Sequence, residues 1–481
     1  MGVSGKWGHE DDCDTTLTGC FRLGLWMGWV VRLVEMGTDK PGRSVDVLEI
    51  GQLRDVGDIA NLGLTLAEAK QLVSRVQQAV VTAQAQEHAI LRPDCASCSG
   101  TCRIKDWRVH QVATLFGTVA VRLPRYRCAD CGRGERGVSW PSHCRSTPEL
   151  DQLRAHLSAL MPYRVAAGVL AHLLPVEAGK NHETLRGHTL KTGRQLRDAA
   201  GIQPSTATSA VTVTLDSTFV RSCHSGERHF EVRVGNVETS AGQRQVFGAV
   251  AGGDTDIAVL IRRSLETVGR TADTAVIAFT DGCPGLQSIL TEAGITQPPI
   301  ADWFHIAMRL QHAKQAAGGL STDQPCRVQA KTAIVAEVER LHWRIWNGKA
   351  TDAQLTIERI RKFMQVFKGE RGHRTMGVPS RKLWHALHEV NDYLHSQSAR
   401  LVNYAERYRA GLRVGTSVTE GSANFLVNRR MNKSQQMRWT RQGADLLLQV
   451  RCAVCNGTLG TELGHLFGIT PNLDLPAAQA A

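Results

Sequence analysis

Apolar positions recur along the chain in two periods, and the places where the period changes mark out the elements. Thr65-Leu66-Ala67-Glu68 has the form of a capping box, in which side chains satisfy the free amides of a helix start. Leu66, Ala69, Val73, Val76 and Val80 follow at alternating spacings of three and four, which predicts a helix with one apolar stripe. Such a stripe suits packing on its own domain or a self-association seam. Thr114 to Leu123 reads as a strand, in hairpin-like material. Leu150, Leu153, Leu157 and Leu160 then fit one helix, and Val165, Val169, Leu170 and Leu173 a second. A polar segment from Asn181 to Asp198 makes a third.

Beyond the polar linker that begins at Gln203, the period changes to two. Val211 to Leu215 alternates like a strand that ends on Asp216, and Phe230 to Val237 and Gln245 to Ala251 read as the next two. Ile257, Leu260, Ile261, Leu265 and Val268 mark a helix. Thr274 to Thr280 is a buried strand ending on Asp281, and a helix from Leu286 to Ala293 follows. Three strands, a helix, a strand and a helix predict a mixed α/β sheet. From 303 to about 415 the pattern is helical, with apolar faces through Ile334, Val338, Leu341 and Ile345, through Ala353, Ile357, Ile360, Met364 and Phe367, and through Leu383, Leu387, Val390 and Leu394. The strand pattern does not resume there, so the segment reads as a helical insertion.

Length and charge narrow the class. A chain of 481 residues suggests two to four domains. A formal net charge of +12 favours a polyanionic partner, of which nucleic acid is the commonest. No apolar stretch approaches the roughly 20 residues that span a bilayer, since Leu23 to Val31 is short and bracketed by Arg22 and Arg32. Thirteen cysteines, several in Cys-x-x-Cys pairs, fit a reducing compartment with a metal site better than a disulfide framework, so a cytoplasmic location is expected. Residues 1–45 show no sustained period, and either Met1 or Met36 could be the start.

Cys95-Ala-Ser-Cys98 and Cys128-Ala-Asp-Cys131 are two knuckles separated by strand-forming sequence. Four thiolates brought together by a hairpin match a structural Zn²⁺ ribbon. Cys102 and Cys144 have no evident partner, and the lone pair Cys452 and Cys455 reads as incidental. Arg122, Arg125, Arg127, Arg133 and Arg136 surround the ribbon and suit either phosphate contacts or a solvated surface. The three-helix segment that follows resembles a helix-turn-helix, and Thr184, Arg186, His188, Thr189, Lys191 and Arg194 on its third helix suit a DNA groove.

Carboxylates at strand ends are the expected oxygen donors for paired Mg²⁺ (or Mn²⁺) ions in phosphodiester chemistry. Asp216 and Asp281 occupy such ends. A third donor is expected from a helix on the same sheet, and Glu420 in Thr419-Glu420-Gly421-Ser422 opens one that continues into Arg429, Arg430 and Lys433, a stretch suited to a DNA backbone. The order Leu215-Asp216-Ser217-Thr218, Thr280-Asp281-Gly282, Asp302-Trp303-Phe304-His305 and then Glu420 resembles bacterial insertion-sequence transposases of the ISKra type, relatives of the ISL-type and Mutator-like enzymes. The run from Met431 to Trp439 with Gly443-Ala444 is similar to the segment after the family's Glu, and the likeness spans roughly residues 60–457.

The resemblance implies a ribonuclease-H-like α/β core split by an all-α insertion, preceded by the zinc ribbon and the helix-turn-helix-like segment. It implies metal-dependent DNA cleavage at transposon ends and strand transfer into target DNA, with Asp216, Asp281 and Glu420 as the catalytic, metal-binding triad. Asp302 and His305 match a short Asp/Cys-x-x-His element with a supporting role, and Asp302 is the alternative to Asp281 as second ligand. The expected partners are double-stranded DNA, as terminal inverted repeats and target, and further copies of the chain in a dimer or larger assembly; a bacterial, nucleoid-associated location follows. The organisation read from the chain is an extension (1–45), a helical segment (46–92), the ribbon (93–147), the helix-turn-helix-like segment (148–202), the first part of the core (208–302), the insertion (303–415), the second part of the core (416–457) and a tail (458–481). Rival functions are a zinc-ribbon DNA-binding regulator that no longer cuts, and a plain metal-dependent nuclease.

Overall fold

A computed structural model describes residues 29–34, 44–50, 57, 59, 62–138, 140, 145–176, 181–199, 206–368, 377–416, 421, 423–432 and 437–467. They fall into two compact units, 1–110 with 119–137, and 111–118 with 138–481. Each is described by itself.

In the first unit, β1 (Trp29–Val34) pairs antiparallel with β2 (Ser44–Ile50). Helix α1 (Leu66–Ile90) opens with the expected capping box: the Thr65 hydroxyl accepts from the Glu68 amide, and the Glu68 carboxylate accepts from the Thr65 amide at 2.7 Å. A second sheet has the order β3 (Cys102–Thr114), β4 (Gly117–Cys128), β5 (Gly134–Arg136). The strand expected over Thr114 to Leu123 is interrupted by a turn at Leu115-Phe116. The Thr114 hydroxyl donates to the Gly117 carbonyl at 2.8 Å and accepts from the Phe116 amide at 3.1 Å, closing that turn. A two-residue turn leaves the alternation of apolar positions nearly undisturbed, so periodicity reads straight through it. Gln78 of α1 bonds both backbone groups of Ala120 on β4, at 3.2 and 3.0 Å.

The second unit is built on a mixed sheet of order β10-β9-β6-β7-β8. β6 (Ala210–Arg221), β7 (His229–Thr239) and β8 (Arg244–Val250) are antiparallel neighbours. β9 (Ala275–Thr280) lies parallel to β6, and β10 (Ile300–Ala301) parallel to β9. β10 has two residues, too few to show any period, so it was not expected from sequence. Alternate residues feed two cores, one on each face of the sheet. Val211, Val213 and Leu215 pack with α5 (Ile257–Thr267) and α6 (Pro284–Glu292). Val220, Val232 and Val234 pack on the opposite face with α2 (Pro148–Leu160), α3 (Tyr163–Leu173) and α4 (His182–Asp198), the three helices expected from sequence.

The insertion comprises α7 (Trp303–Gly318), α8 (Pro325–Trp346), α9 (Ala350–Phe363), α10 (Val378–Ser396) and α11 (Tyr404–Arg409), and the three expected apolar faces meet in its core. The chain returns to the sheet through a π-helix (Asn424–Asn432), α12 (Arg441–Asn456) and α13 (Leu459–Phe467). Helix α12 covers the outer edge of β8. Asp445 accepts from the Val250 amide at 3.0 Å, Gln449 donates to Gly248 at 2.9 Å, and Asn456 bonds both groups of Val246 at 2.8 and 3.0 Å. These side chains satisfy backbone groups that an open sheet edge would leave unpaired. Cys452, buried, and Cys455 lie on α12. No described helix is long and apolar enough to cross a membrane.

Helix α4 packs so closely on α12 that a Cβ on Gly193 would lie 2.1 Å from the Leu446 carbonyl oxygen, whereas one on Gly187 would meet nothing within 4 Å. Gly193→Ala should therefore lower unfolding stability by about 1–3 kcal/mol, the usual cost of overpacking. Gly187→Ala on the same helix should raise it by about 0.5–1 kcal/mol. Urea denaturation midpoints of the two variants check both signs; equal shifts would contradict the packing of α4 on α12.

Candidate functional site

The parallel pairing of three strands stops at one level. Leu215 on β6 pairs with Thr280 on β9, and Thr280 pairs with Ala301 on β10. The next residue in each case is an aspartate: Asp216, Asp281 and Asp302. With neighbouring strands roughly 4.8 Å apart, in-register pairing gathers three carboxylates at one mouth of the sheet. Asp216 does not end its strand, contrary to the sequence expectation. β6 continues to Arg221 with Asp216 paired to Val234 of β7, and only the parallel partner stops. The side chain is therefore mid-strand towards β7 and at the mouth towards β9.

The three acids are held differently. Asp302 is wholly buried and caps α7. Its Oδ1 accepts from the amides of Phe304 at 2.9 Å and Thr416 at 3.0 Å. Its Oδ2 accepts from the Thr416 hydroxyl and lies 3.6 Å from His305 Nε2. Both oxygens are thus engaged inside the protein. Asp281 accepts from the Cys283 amide at 2.9 Å and Asp216 from the Ser217 amide at 2.8 Å, each through Oδ1. Their Oδ2 atoms have no hydrogen-bond partner among the described residues. Glu420 lies outside the described residues.

The insertion holds the mouth in place. Gln397, just beyond α10, donates to the Gly282 carbonyl at 2.9 Å and is itself held by Arg400 at 2.7 Å. Gly282 has a φ of +93°, and a Cβ there would lie 2.7 Å from the Gln397 side chain, so glycine is required on both counts. The buried Tyr404 hydroxyl donates to the Ala301 carbonyl at 2.7 Å, fixing the end of β10. Sequence reasoning missed Gln397, Arg400, Tyr404 and Thr416, whose partners Gly282, Gln287, Ala301 and Asp302 lie about a hundred residues away and leave no local trace.

Electrostatics mark Asp216 as the strained member. Burial is the largest influence and raises its pKa; His305 and the Ser217 amide pull it down, and Asp281 and Asp302 push it up again. An ionised carboxylate here faces two further acids against one histidine, and two oxygen donors unengaged among the described residues suit a hard divalent cation. The carboxylates do not by themselves make a closed site: among the described residues, the cysteines form the group whose donor atoms all lie within 4.8 Å of one another.

That group is Cys95, Cys98, Cys128 and Cys131, with Cys95–Cys131 and Cys98–Cys128 sulfurs both 3.5 Å apart. Tetrahedral zinc with bonds near 2.3 Å would set its sulfurs about 3.8 Å apart, so the cluster could bind a metal such as zinc. Each knuckle is followed by a residue at positive φ, Ser99 at 54° and Gly132 at 73°, which turns the chain sharply behind its second cysteine. Amides of Cys131 and Asp130 draw the Cys128 thiol down to about 7. The Gly100 amide also pulls Cys98 down, but hydrogen bonds to Cys128, Cys131 and Cys95 outweigh it and push that thiol up to about 12. Four sulfurs this close cannot all ionise without a cation among them. Cys102 is buried behind the cluster and outside it; Cys144 lies outside the described residues.

The basic residues divide. Arg127, Arg186, Lys191, Arg194 and Arg429 are exposed. Arg125 forks onto Asp106, with one contact at 2.6 Å, so its charge is largely neutralised. Arg430 is a correction to the sequence expectation. It is 3% exposed, donates to the Ser158 carbonyl at 3.2 Å and stacks over Tyr163 and Trp439 at 5.0 and 5.3 Å. The π-helix places it among Phe425, Leu426, Val427 and Met431 rather than on a surface open to DNA. Lys433 lies outside the described residues.

Two predictions follow from this geometry. Elemental analysis of the purified protein should find about one tightly held zinc per four-cysteine site, and Cys128→Ser should abolish it while Cys452→Ser does not. In metal-free buffer, the contribution of Asp216 to stability should fall as pH rises from about 4, because the unfolded carboxyl ionises before the folded one does. Asp216→Asn lacks that loss, so its stability relative to wild type should grow as pH rises towards neutral, in thermal melts of both proteins across the range. A relative stability that shrinks with rising pH would contradict the raised carboxylate.

Compared with known proteins, the chain matches no family model and no curated sequence.

Proposed function

We propose that the chain is a DDE-type transposase that cuts DNA at transposon ends and joins the freed strand to target DNA. The observation that carries this is that Asp216, Asp281 and Asp302 stand side by side where the parallel pairing of β6, β9 and β10 stops, two of them with an oxygen unengaged among the described residues. We take the sheet, three antiparallel strands followed by two parallel ones, as a ribonuclease-H-like core split by the helical insertion. Asp216 and Asp281 are the metal-holding pair, with Glu420 completing the set by its position in the family pattern. Bound Mg²⁺ (or Mn²⁺) would activate the attacking water or 3′-hydroxyl and steady the leaving oxygen.

Asp302, with both oxygens engaged, positions His305 and the start of the insertion, which favours Asp281 as second ligand. The cysteine cluster is assigned as a structural Zn²⁺ ribbon. The exposed row Arg186, Lys191 and Arg194 on α4 supports DNA contact by the three-helix unit. A second copy would be required to pair the two ends of an element.

The test is an excision and strand-transfer assay on plasmid DNA carrying the gene's own flanks. Wild type in Mg²⁺ should give joined products, and Asp281→Asn should lose at least about 100-fold, the upper range for loss of a group one step removed from a metal. Specific binding of the flanks without cutting by either protein would leave a DNA-binding regulator. Cutting without joining would leave a nuclease.

A further inference from the structure

We propose that the β6–β7 hairpin and the segment around Arg438 form a second contact for duplex DNA, made to its phosphate backbone. The inference rests on the DNA-directed reading above. At the hairpin, Arg221, His224, Arg228 and His229 line a cleft together with Arg438. All five are exposed, and the three arginines form no ion pair among the described residues.

The one acid lining this cleft, Glu227, is already engaged. It accepts from the Ser222 hydroxyl at 3.2 Å and pairs with Arg441, the main cause of its lowered pKa. The cleft therefore presents uncompensated positive charge. Its shape is fixed by backbone pairing: the Trp439 amide donates to Arg221 at 2.9 Å, and the Cys223 amide to Trp439 at 3.0 Å. Arg438 is thereby held beside Arg221 rather than free on a loop.

The charge continues beyond the hairpin. Arg438 also lines a second cleft between α3, α4 and the 437–443 segment, where Arg164 is exposed and Arg186 sits beside Glu183. A single phosphate would fill only one of these clefts, whereas a polynucleotide backbone can follow both. Arg221 lies five residues beyond Asp216 on β6, about 17 Å at the usual rise and on the opposite face of the pleat, so the cleft is a contact separate from the carboxylates.

The test measures binding of an arbitrary-sequence duplex, three helical turns long, by full-length protein across a salt series. Replacing Arg221, Arg228 and Arg438 together by Ala should reduce the slope of log affinity against log salt by about 2.7, near 0.9 for each phosphate no longer neutralised. The triple Lys variant should keep most of the slope, because it keeps the charge. An unchanged slope in the Ala variant, an equal loss in the Lys variant, or no duplex binding by wild type would overturn the proposal. Strand transfer is read separately on the same preparations. A reduced slope with no joined products from wild type removes the transposase and leaves the second DNA surface; joined products with an unchanged slope do the reverse.

Discussion

The parallel register of β6, β9 and β10 is the constraint on which the rest of the molecule depends. Shifting Thr280 by one residue against Leu215 would move Asp281 out of line with Asp216 and reverse the faces of β9. Parallel pairing needs a long crossover, and the register is held from outside the sheet as well as within it. Tyr404 fixes the end of β10, Gln397 fixes the turn behind Asp281, and Thr416 closes on Asp302. All three belong to the helical insertion or its exit. The insertion is thus a brace for the mouth of the sheet as much as an addition to it.

The brace has an energetic counterpart. Asp302 stabilises the fold by accepting every hydrogen bond its burial requires, which leaves little for a ligand. Asp216 is half-buried beside two other acids with one oxygen unengaged among the described residues, an arrangement that destabilises the ligand-free protein and would be relieved by a cation. Three adjacent aspartates of the same chemical type therefore take different roles, set by which backbone and side-chain donors reach them. The cysteine cluster follows the same logic: four sulfurs within 4.8 Å of one another could bind a metal such as zinc, which would offset their mutual repulsion as thiolates.

Much of this was legible in the sequence because local rules govern it. The capping box at Thr65, the three helices from Pro148 to Asp198 and the apolar faces of the insertion follow from spacing and caps alone. The two Cys-x-x-Cys knuckles are a short-range signal, and so are the aspartates at apolar run ends. What escaped depends on distant partners. β10 is a strand only because β9 lies beside it, β6 passes through Asp216 because β7 keeps pairing with it, and Arg430 is buried because Tyr163 and Trp439 stack on its guanidinium. Charge at a helical spacing predicts a solvated face, and the π-helix overrides that prediction at Arg430.

Asp216 and Asp281 are proposed to hold divalent metal for phosphodiester chemistry, independently of the cysteines. Electron paramagnetic resonance of Mn²⁺ added to zinc-loaded protein with duplex DNA tests it most directly. The account predicts about two bound Mn²⁺ per chain, as a two-metal site requires, lost in both Asp216→Asn and Asp281→Asn and retained in Cys452→Ser. Unchanged Mn²⁺ binding in both aspartate variants would contradict it.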